Sequence, residues 1–448
     1  MRRHGLHISS VWIVCLLLLG VGQIVQRTPL VRTDSFFFDF SNLYSASRVW
    51  LAGKNPYDIQ AVFRAWDGSD HGHYLGSSIA RNMARWAAVY PPSSLLVIAP
   101  FAALPAVWGH LLWAGISIGL AIAALMALIW LCGLSDIRSR LLFVACALAS
   151  APFQCALQVG QPALPACAMV ILAVWAFAGG RLALASILLG LATALKVQIG
   201  APFIVYYLFI RQWRVGMLAT ILFALATLVA VGRMEALGIT SWWAQWQQNM
   251  SATLQAGAVN DPRPGGPFRN NIVNLQTIFD VFVHRQLWID TLVLLVFLPL
   301  LAGFVANVRR EREAGRDMLA LSLVGALSML PAYHRLYDGL TLLMLLAWAI
   351  AALKTARPGM GRIMLLILSQ FLLPVDLVPL VLRHTHRFDR IVPSTFWQAF
   401  VVPHHAWGLL ILTIGTTLIF SRAVRRSPAA APQSERGMRG LRVSEPSA

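Results

Sequence analysis

Apolar segments close to the length needed to cross a lipid bilayer recur along almost the whole of this 448-residue chain. A helix needs about 20 mainly apolar residues to span the hydrocarbon core. Charged residues make up only 12% of the sequence, whereas a soluble globular domain carries roughly 25%. These features predict an all-α polytopic membrane protein rather than a set of soluble domains.

The apolar segments and the loops between them predict about twelve membrane-spanning helices in one domain, residues 1–421. Long loops at 27–106 and 233–286 are predicted on the outer side. Lys and Arg lie mainly in the short loops of the opposite side, as expected for cytoplasmic loops. Both termini are therefore predicted to be cytoplasmic, with residues 422–448 forming a basic, disordered tail. The expected location is the cell (inner) membrane.

Two apolar segments require separate interpretation. The basic N-terminus and the run that follows it resemble a signal peptide, but no small-residue cleavage site follows. We therefore predict a retained first helix. Residues 93–104 are apolar, but prolines bracket them and the segment is too short to span the membrane comfortably. This segment is predicted to form a re-entrant or interfacial helix whose ends are buried in protein.

The net charge of +18 has two interpretations. It could indicate nucleic-acid binding, or it could reflect the basic loops that membrane proteins keep on the cytoplasmic side. The basic residues lie in short loops and in the tail, so we favour the second interpretation and expect no nucleic-acid partner. The five cysteines lie within or at the ends of apolar segments and lack metal-ligand spacing, which predicts no disulfide and no zinc site.

Polar residues from at least five stretches of the chain fall on the predicted outer side. Because turns that contact water are usually polar, any single one of them can be explained without a function. The set is Asp34, Asp39, Asn42, Tyr57, Asp58, Gln161, Lys196, Gln198, Asn270, Asn271, Asn274, His334, Arg335 and Asp338.

Two members of this set are hard to explain as solvent-facing turns. Asp39 has phenylalanines on both sides, and a partly desolvated carboxylate has a raised pKa, which suits a general base. Lys196 interrupts an apolar stretch from 182 to 210. It could reach the membrane interface, pair with an acid, or hold an anion such as phosphate. His334, beside Arg335, is either a proton carrier or a hydrogen-bonded structural histidine.

Several common catalytic motifs are absent from the sequence. It has no Gly-rich loop of the Walker or dinucleotide type, no Asp-x-Asp pair and no His-Glu-x-x-His pattern. No Ser or Cys stands in a recognised nucleophile motif. We therefore expect no nucleotide cofactor and assign no residue to a metal.

Five sequence elements follow one another along the chain. They are Asp39-Phe40…Tyr44…Gly53-Lys54-Asn55-Pro56-Tyr57-Asp58; Tyr90-Pro91-Pro92 with Pro100 and Leu104-Pro105; Gly160-Gln161; Gly190-Leu191-Ala192…Lys196; and Tyr333-His334…Tyr337-Asp338. Taken in this order they resemble glycosyltransferase family 87, and the resemblance covers roughly residues 34–345.

The resemblance implies a GT-C-like fold and an inverting transfer of a hexose, with mannose favoured. The implied donor is a polyprenyl-phosphate sugar, and the implied acceptor is a glycolipid or glycan at the extracytoplasmic face. Asp39 matches the catalytic base of the family. Lys196, His334 and Arg335 are then expected to bind the donor phosphate. Four further residues are expected to contact sugar or acceptor: Gln161, Asp58, Tyr57 and Asn274.

The residues by themselves leave two other classes of function open. A transporter or lipid flippase would carry polar residues along a path through the bilayer, whereas here they gather on one predicted face. An inactive membrane scaffold would not need an acid among aromatic residues. A lipid-phosphate sugar is already activated, so its transfer needs only a base for the acceptor hydroxyl and cations for the departing phosphate. A carboxylate and a lysine on one face meet that requirement.

Overall fold

The computed structural model consists of helices joined by turns and loops. It describes residues 10–27, 37–67, 86–309, 317–355, 358–372, 391 and 393–426. Within these ranges the only extended pairing is an isolated antiparallel bridge between Ile272 and Arg335. The prediction of an all-helical chain is therefore confirmed for the described residues.

The α-helices of the described residues range from 4 to 26 residues in length. In chain order the α-helices are α1 (Ser10–Arg27), α2 (Phe38–Leu51), α3 (Ile59–Asp67), α4 (Pro92–Ala102), α5 (Ala106–Leu131), α6 (Ile137–Ala149), α7 (Ala151–Gln158), α8 (Ala163–Ala178), α9 (Leu182–Leu195), α10 (Val197–Phe209), α11 (Trp213–Ala236), α12 (Trp242–Thr253), α13 (Gln276–Phe279), α14 (Gln286–Val308), α15 (Met318–Met329), α16 (Leu343–Ala352), α17 (Pro358–Leu368) and α18 (His404–Arg426). Shorter 3-10 or π segments are Arg269–Asn271, Leu336–Leu342, Ser369–Leu372 and Trp397–Val401.

Among the described residues, 4 helices are long and apolar enough to cross a membrane, namely α5, α11, α14 and most of α18. The pair α6 and α7 is bent by 53° and raises the number to 5 if it forms one broken span. The remaining apolar helices are 10–17 residues long. The chain is a multi-pass membrane protein, while the predicted total of about twelve spans and the GT-C arrangement remain predictions.

The last helix extends past the predicted start of the tail. α18 continues to Arg426, whereas the tail is predicted to begin at 422. Residues 427–448 and 373–390 lie outside the described residues, so the disorder of the tail remains a prediction.

The described part of the predicted first outer loop contains α2, α3 and α4. α4 packs against α2, α9 and α11, and its Ser93 hydroxyl donates to the Ala194 carbonyl at 2.8 Å. Proline stands at the start of α4, where a missing N–H costs nothing. The predicted short helix is confirmed, and its depth in the bilayer remains a prediction.

Helix α12 carries three tryptophans of the second predicted outer loop. Trp242 is buried, and its ring contacts that of Tyr57. The Trp246 indole N–H donates to the Val89 carbonyl at 3.1 Å. Only Trp243 is strongly exposed, at 48%. Two of the tryptophans therefore fasten α12 to the first loop, and Trp243 is the one positioned to meet an interface.

Candidate active site

The junction between α2 and α7 determines where Asp39 lies. The Phe37 N–H donates to the Gln158 carbonyl at 2.8 Å, and the Asp39 N–H donates to the Val159 carbonyl at 3.0 Å. The first N–H groups of a helix have no partner within it, and here the end of α7 supplies one. Phe37 adopts a left-handed conformation with φ of 54° to make this junction. The contact places Asp39 beside the turn that follows α7.

That turn holds Gln161 in a defined position. The Gly160 N–H donates to Leu157 and the Gln161 N–H donates to Ala156, at 3.3 and 2.8 Å. This is the hydrogen-bond pattern of a Schellman motif, which requires a left-handed residue, and Gly160 has φ of +63°. A Cβ on Gly160 would lie 2.5 Å from the Phe37 ring, so only glycine fits.

The Gln161 side chain connects Asp39 to the rest of the site. Its Nε2 donates to Asp39 Oδ2 at 2.5 Å, and its Oε1 accepts from the Tyr90 hydroxyl at 3.1 Å. Lys196 Nζ lies 3.5 Å from the same Oε1. Gln161 is buried, while Asp39 and Tyr90 remain partly exposed. The polar atoms of three distant stretches of chain thus meet at one amide.

Lys196 is enclosed at a break between two helices. It has extended backbone angles between α9 and α10, and its side chain is almost entirely buried. Nζ lies 2.6 Å from Asp338 Oδ1 and 4.3 Å from the centre of the Tyr337 ring. A buried ammonium needs such a partner. Of the three roles open to Lys196 from the sequence, pairing with an acid is the one observed here.

Asp338 joins three residues of the site. Its Oδ1 pairs with Lys196, its Oδ2 lies 3.0 Å from His334 Nδ1, and Oδ2 also accepts the Arg335 backbone N–H at 3.2 Å. His334 is buried and hydrogen-bonded, as one of its two predicted readings requires. Because both oxygens of Asp338 are engaged, the Lys196 ammonium and the His334 ring are held at fixed positions relative to each other.

Arg335 is the most accessible strong cation of the cluster. Its Nε donates to the Tyr333 hydroxyl at 2.5 Å, and its Nη2 donates to the Val259 carbonyl and to Asn260 Oδ1 at 2.7 and 2.6 Å. These bonds orient the guanidinium, yet Arg335 remains partly exposed. It can therefore meet an anion without losing its existing partners.

The electrostatic surroundings of Asp39 are mixed. Loss of water contact on burial raises the pKa of the Asp39 carboxyl above its ordinary value, while the positive charges of Arg335 and Lys196 and the Gln161 hydrogen bond act in the opposite direction. The net shift is upward. A carboxylate that is ionised, only partly exposed and raised in pKa can accept a proton from a weak acid such as an alcohol.

The three remaining predicted site residues have local partners. Tyr57 is buried and its hydroxyl donates to the Tyr90 carbonyl at 3.0 Å. Asp58 Oδ1 accepts the N–H of Gln60 at 2.9 Å at the start of α3. Asn274 Oδ1 likewise accepts the N–H of Thr277 at 3.0 Å. Asp58 thus acts as an N-terminal cap of α3, and Asn274 binds Thr277 within α13. Contact of either residue with sugar or acceptor remains a prediction.

Three site residues had no predicted role. Tyr90 and Asp338 stand in sequence elements already singled out, and Tyr337 precedes Asp338. The separation of four residues between His334 and Asp338 was an available signal, since side chains at this spacing often meet within one helical turn. Within the described residues, no group of three or more His, Cys, Asp or Glu is arranged to hold a metal ion.

Comparison with known proteins gives one match. The model of glycosyltransferase family 87 matches residues 88–333, more than half of the chain. No curated protein and no solved structure shows a significant match. The matched region includes Tyr90, Gln161 and Lys196; Asp39 lies before it and His334 directly after it.

Proposed function

The chain belongs to glycosyltransferase family 87, and we propose that it transfers a hexose, with mannose favoured, from a polyprenyl-phosphate sugar to a glycolipid or glycan acceptor. The coarser conclusion, a membrane glycosyltransferase, follows from the family and the apolar helices. The proposed reaction is inverting and takes place at the extracytoplasmic face. The supporting observation is the hydrogen-bonded chain Asp39–Gln161–Lys196–Asp338.

Asp39 is the proposed general base. The acceptor hydroxyl attacks the anomeric carbon, its proton passes to Asp39, and the bond from that carbon to the lipid phosphate oxygen breaks. Asp39 Oδ2 accepts from Gln161, and Oδ1 has no hydrogen bond to any residue that the structure describes. The free oxygen is therefore the one available to the acceptor.

The proposed phosphate-binding residues contribute in different ways. Arg335 is partly exposed and is placed to contact the phosphate directly. Lys196 is 3% exposed and already paired with Asp338. It therefore acts on the phosphate through its positive charge, with the Gln161 side chain between them. His334 is buried and hydrogen-bonded to Asp338 Oδ2, so its own contact with the phosphate stays a proposal.

An apolar cavity supports a lipid-linked donor. It has a volume of about 340 Å³ and lies between α1, α6, α16 and α17. Its lining includes Gly339, the residue that follows Asp338, and extends to Leu142 and Trp12. From Ser150 to Leu142 the helix rises by about 12 Å. Part of an isoprenoid chain can be accommodated along this length.

Substitution of the proposed base provides the direct test. We expect Asp39→Asn to leave the protein folded and to lower transfer by on the order of 100-fold or more, because the amide cannot accept the proton. The measurement is turnover of purified enzyme with a polyprenyl-phosphate mannose donor. Asp290→Asn is the matched control, since Asp290 accepts hydrogen bonds from Gln276 and Gln286 instead. Wild-type turnover by Asp39→Asn would reject the assignment.

A transporter or lipid flippase is the remaining alternative. Such a protein would move a solute or lipid across reconstituted vesicles without a sugar donor. Uptake that survives Asp39→Asn and needs no lipid-phosphate sugar would favour this alternative over the transferase.

A further inference from the structure

The side-chain amide of Gln161 can take only one orientation. One end faces Asp39 Oδ2 at 2.5 Å, and the other lies 3.5 Å from Lys196 Nζ. A carboxylate only accepts hydrogen bonds and an ammonium only donates them. If the amide were reversed, oxygen would face oxygen at one end and N–H would face ammonium at the other. Its NH₂ group must therefore point at Asp39.

The backbone that carries this amide is equally constrained. The Schellman turn fixes the Gln161 N–H on Ala156, and the Trp113 indole N–H holds the Gly160 carbonyl at 3.0 Å. The Tyr90 hydroxyl donates to Oε1 from the side of α4. Helix ends and side chains from separate parts of the chain thus converge on an amide that donates and accepts hydrogen bonds but does not ionise.

We infer that Gln161 is a positioning residue that binds one oxygen of Asp39 and directs the other toward the acceptor. This inference rests on the proposed function, and it differs from the predicted sugar or acceptor contact of Gln161. Donation to Oδ2 fixes the rotation of the carboxylate and favours its ionised form. Because Oε1 faces Lys196, the same amide sets the distance between the base and the cationic half of the site.

The pH profile of turnover tests the inference. Gln161→Met keeps a similar length but donates no hydrogen bond, so the ionised form of Asp39 loses stabilisation and its pKa rises. The base works only when ionised, so the acidic limb of the kcat/KM profile is expected to move up by about one pH unit. Turnover at the optimum is expected to fall about tenfold.

Two control variants separate positioning from folding. Gln154→Met removes another buried glutamine, whose Nε2 donates to the Gly20 carbonyl at 3.1 Å; its acidic limb is expected to stay in place. Tyr90→Phe removes a bond to Oε1 but leaves Nε2 on Asp39, and is expected to shift the limb much less than Gln161→Met.

The outcomes distinguish this inference from the function on which it rests. An acidic limb that moves in Gln161→Met and stays in Gln154→Met supports the positioning role. Reduced turnover in Gln161→Met with an unmoved limb overturns it, provided that Asp39→Asn is inactive. Full activity of Asp39→Asn overturns the proposed base, and the role inferred for Gln161 with it.

Discussion

At the scale of single residues, Lys196 and Asp338 show what a buried charge requires. Their side chains are 4% and 2% exposed and lie 2.6 Å apart. Removing one partner of such a pair leaves the other charge without compensation, whereas replacing both can be nearly neutral. The pair is therefore needed both to fold the site and to keep its electrostatic balance.

The stability of single and double variants checks this account. We expect Lys196→Met to destabilise the protein by about 3–5 kcal/mol and the double variant Lys196→Met, Asp338→Asn to recover most of that loss. Thermal unfolding of the purified proteins measures both. Lys354→Met is the control, because Lys354 pairs with Asp136 at the surface and such pairs contribute about 1 kcal/mol or less. If Lys196→Met were as stable as the control Lys354→Met, this account of the buried pair would be wrong.

At the scale of elements, the end-to-end contact of α7 with α2 builds the half of the site that contains Asp39, the proposed base. The carbonyl groups that end α7 accept the N–H groups that begin α2. The turn that leaves α7 then carries Gln161 to Asp39. These hydrogen bonds fix the two helix ends relative to each other, and the proposed proton transfer needs such a fixed geometry.

Substitution of Gly160 tests this junction. Gly160→Ala places a Cβ 2.5 Å from the Phe37 ring at φ of +63°, so we expect lower thermal stability and strongly reduced turnover. Gly180 has φ of +74° with open space around it, and Gly180→Ala isolates the backbone cost of a left-handed alanine, about 1–2 kcal/mol. If both variants were equally stable and active, the contact with Phe37 would not matter.

At the scale of the whole molecule, the polar site and the apolar cavity share one short segment, Leu336–Leu342. Asp338 faces Lys196, while Gly339 and Leu342 line the cavity. A donor with a charged phosphate and an apolar chain needs both environments within reach. The segment Leu336–Leu342 therefore places the apolar cavity next to the polar site at which the proposed transfer takes place.

Filling the cavity is expected to weaken donor binding. Leu365 lines the cavity, so Leu365→Trp should raise KM for a long-chain donor about tenfold and leave kcat little changed. Leu366, its neighbour, is 75% exposed, and Leu366→Trp is the control. A short-chain donor analogue should be insensitive to both variants. An unchanged KM for the long-chain donor in Leu365→Trp would show that the cavity does not bind the donor chain.

The sequence alone determined that the protein is helical and spans the membrane several times, because apolar length is a local property of the chain. It also singled out Asp39 and Lys196, since a charge in an apolar run is visible without coordinates, and the order of its motifs indicated the family. The end of the last helix was less visible, because a helix can continue into a basic segment without any apolar signal.

Only the tertiary structure decided which polar groups meet. Gln161 is 122 residues from Asp39 along the chain, and Asp338 is 142 residues from Lys196. Such contacts depend on how separate helices pack and end, which no local pattern encodes. The pairing of Lys196 with an acid and the orientation of the Gln161 amide follow from that packing.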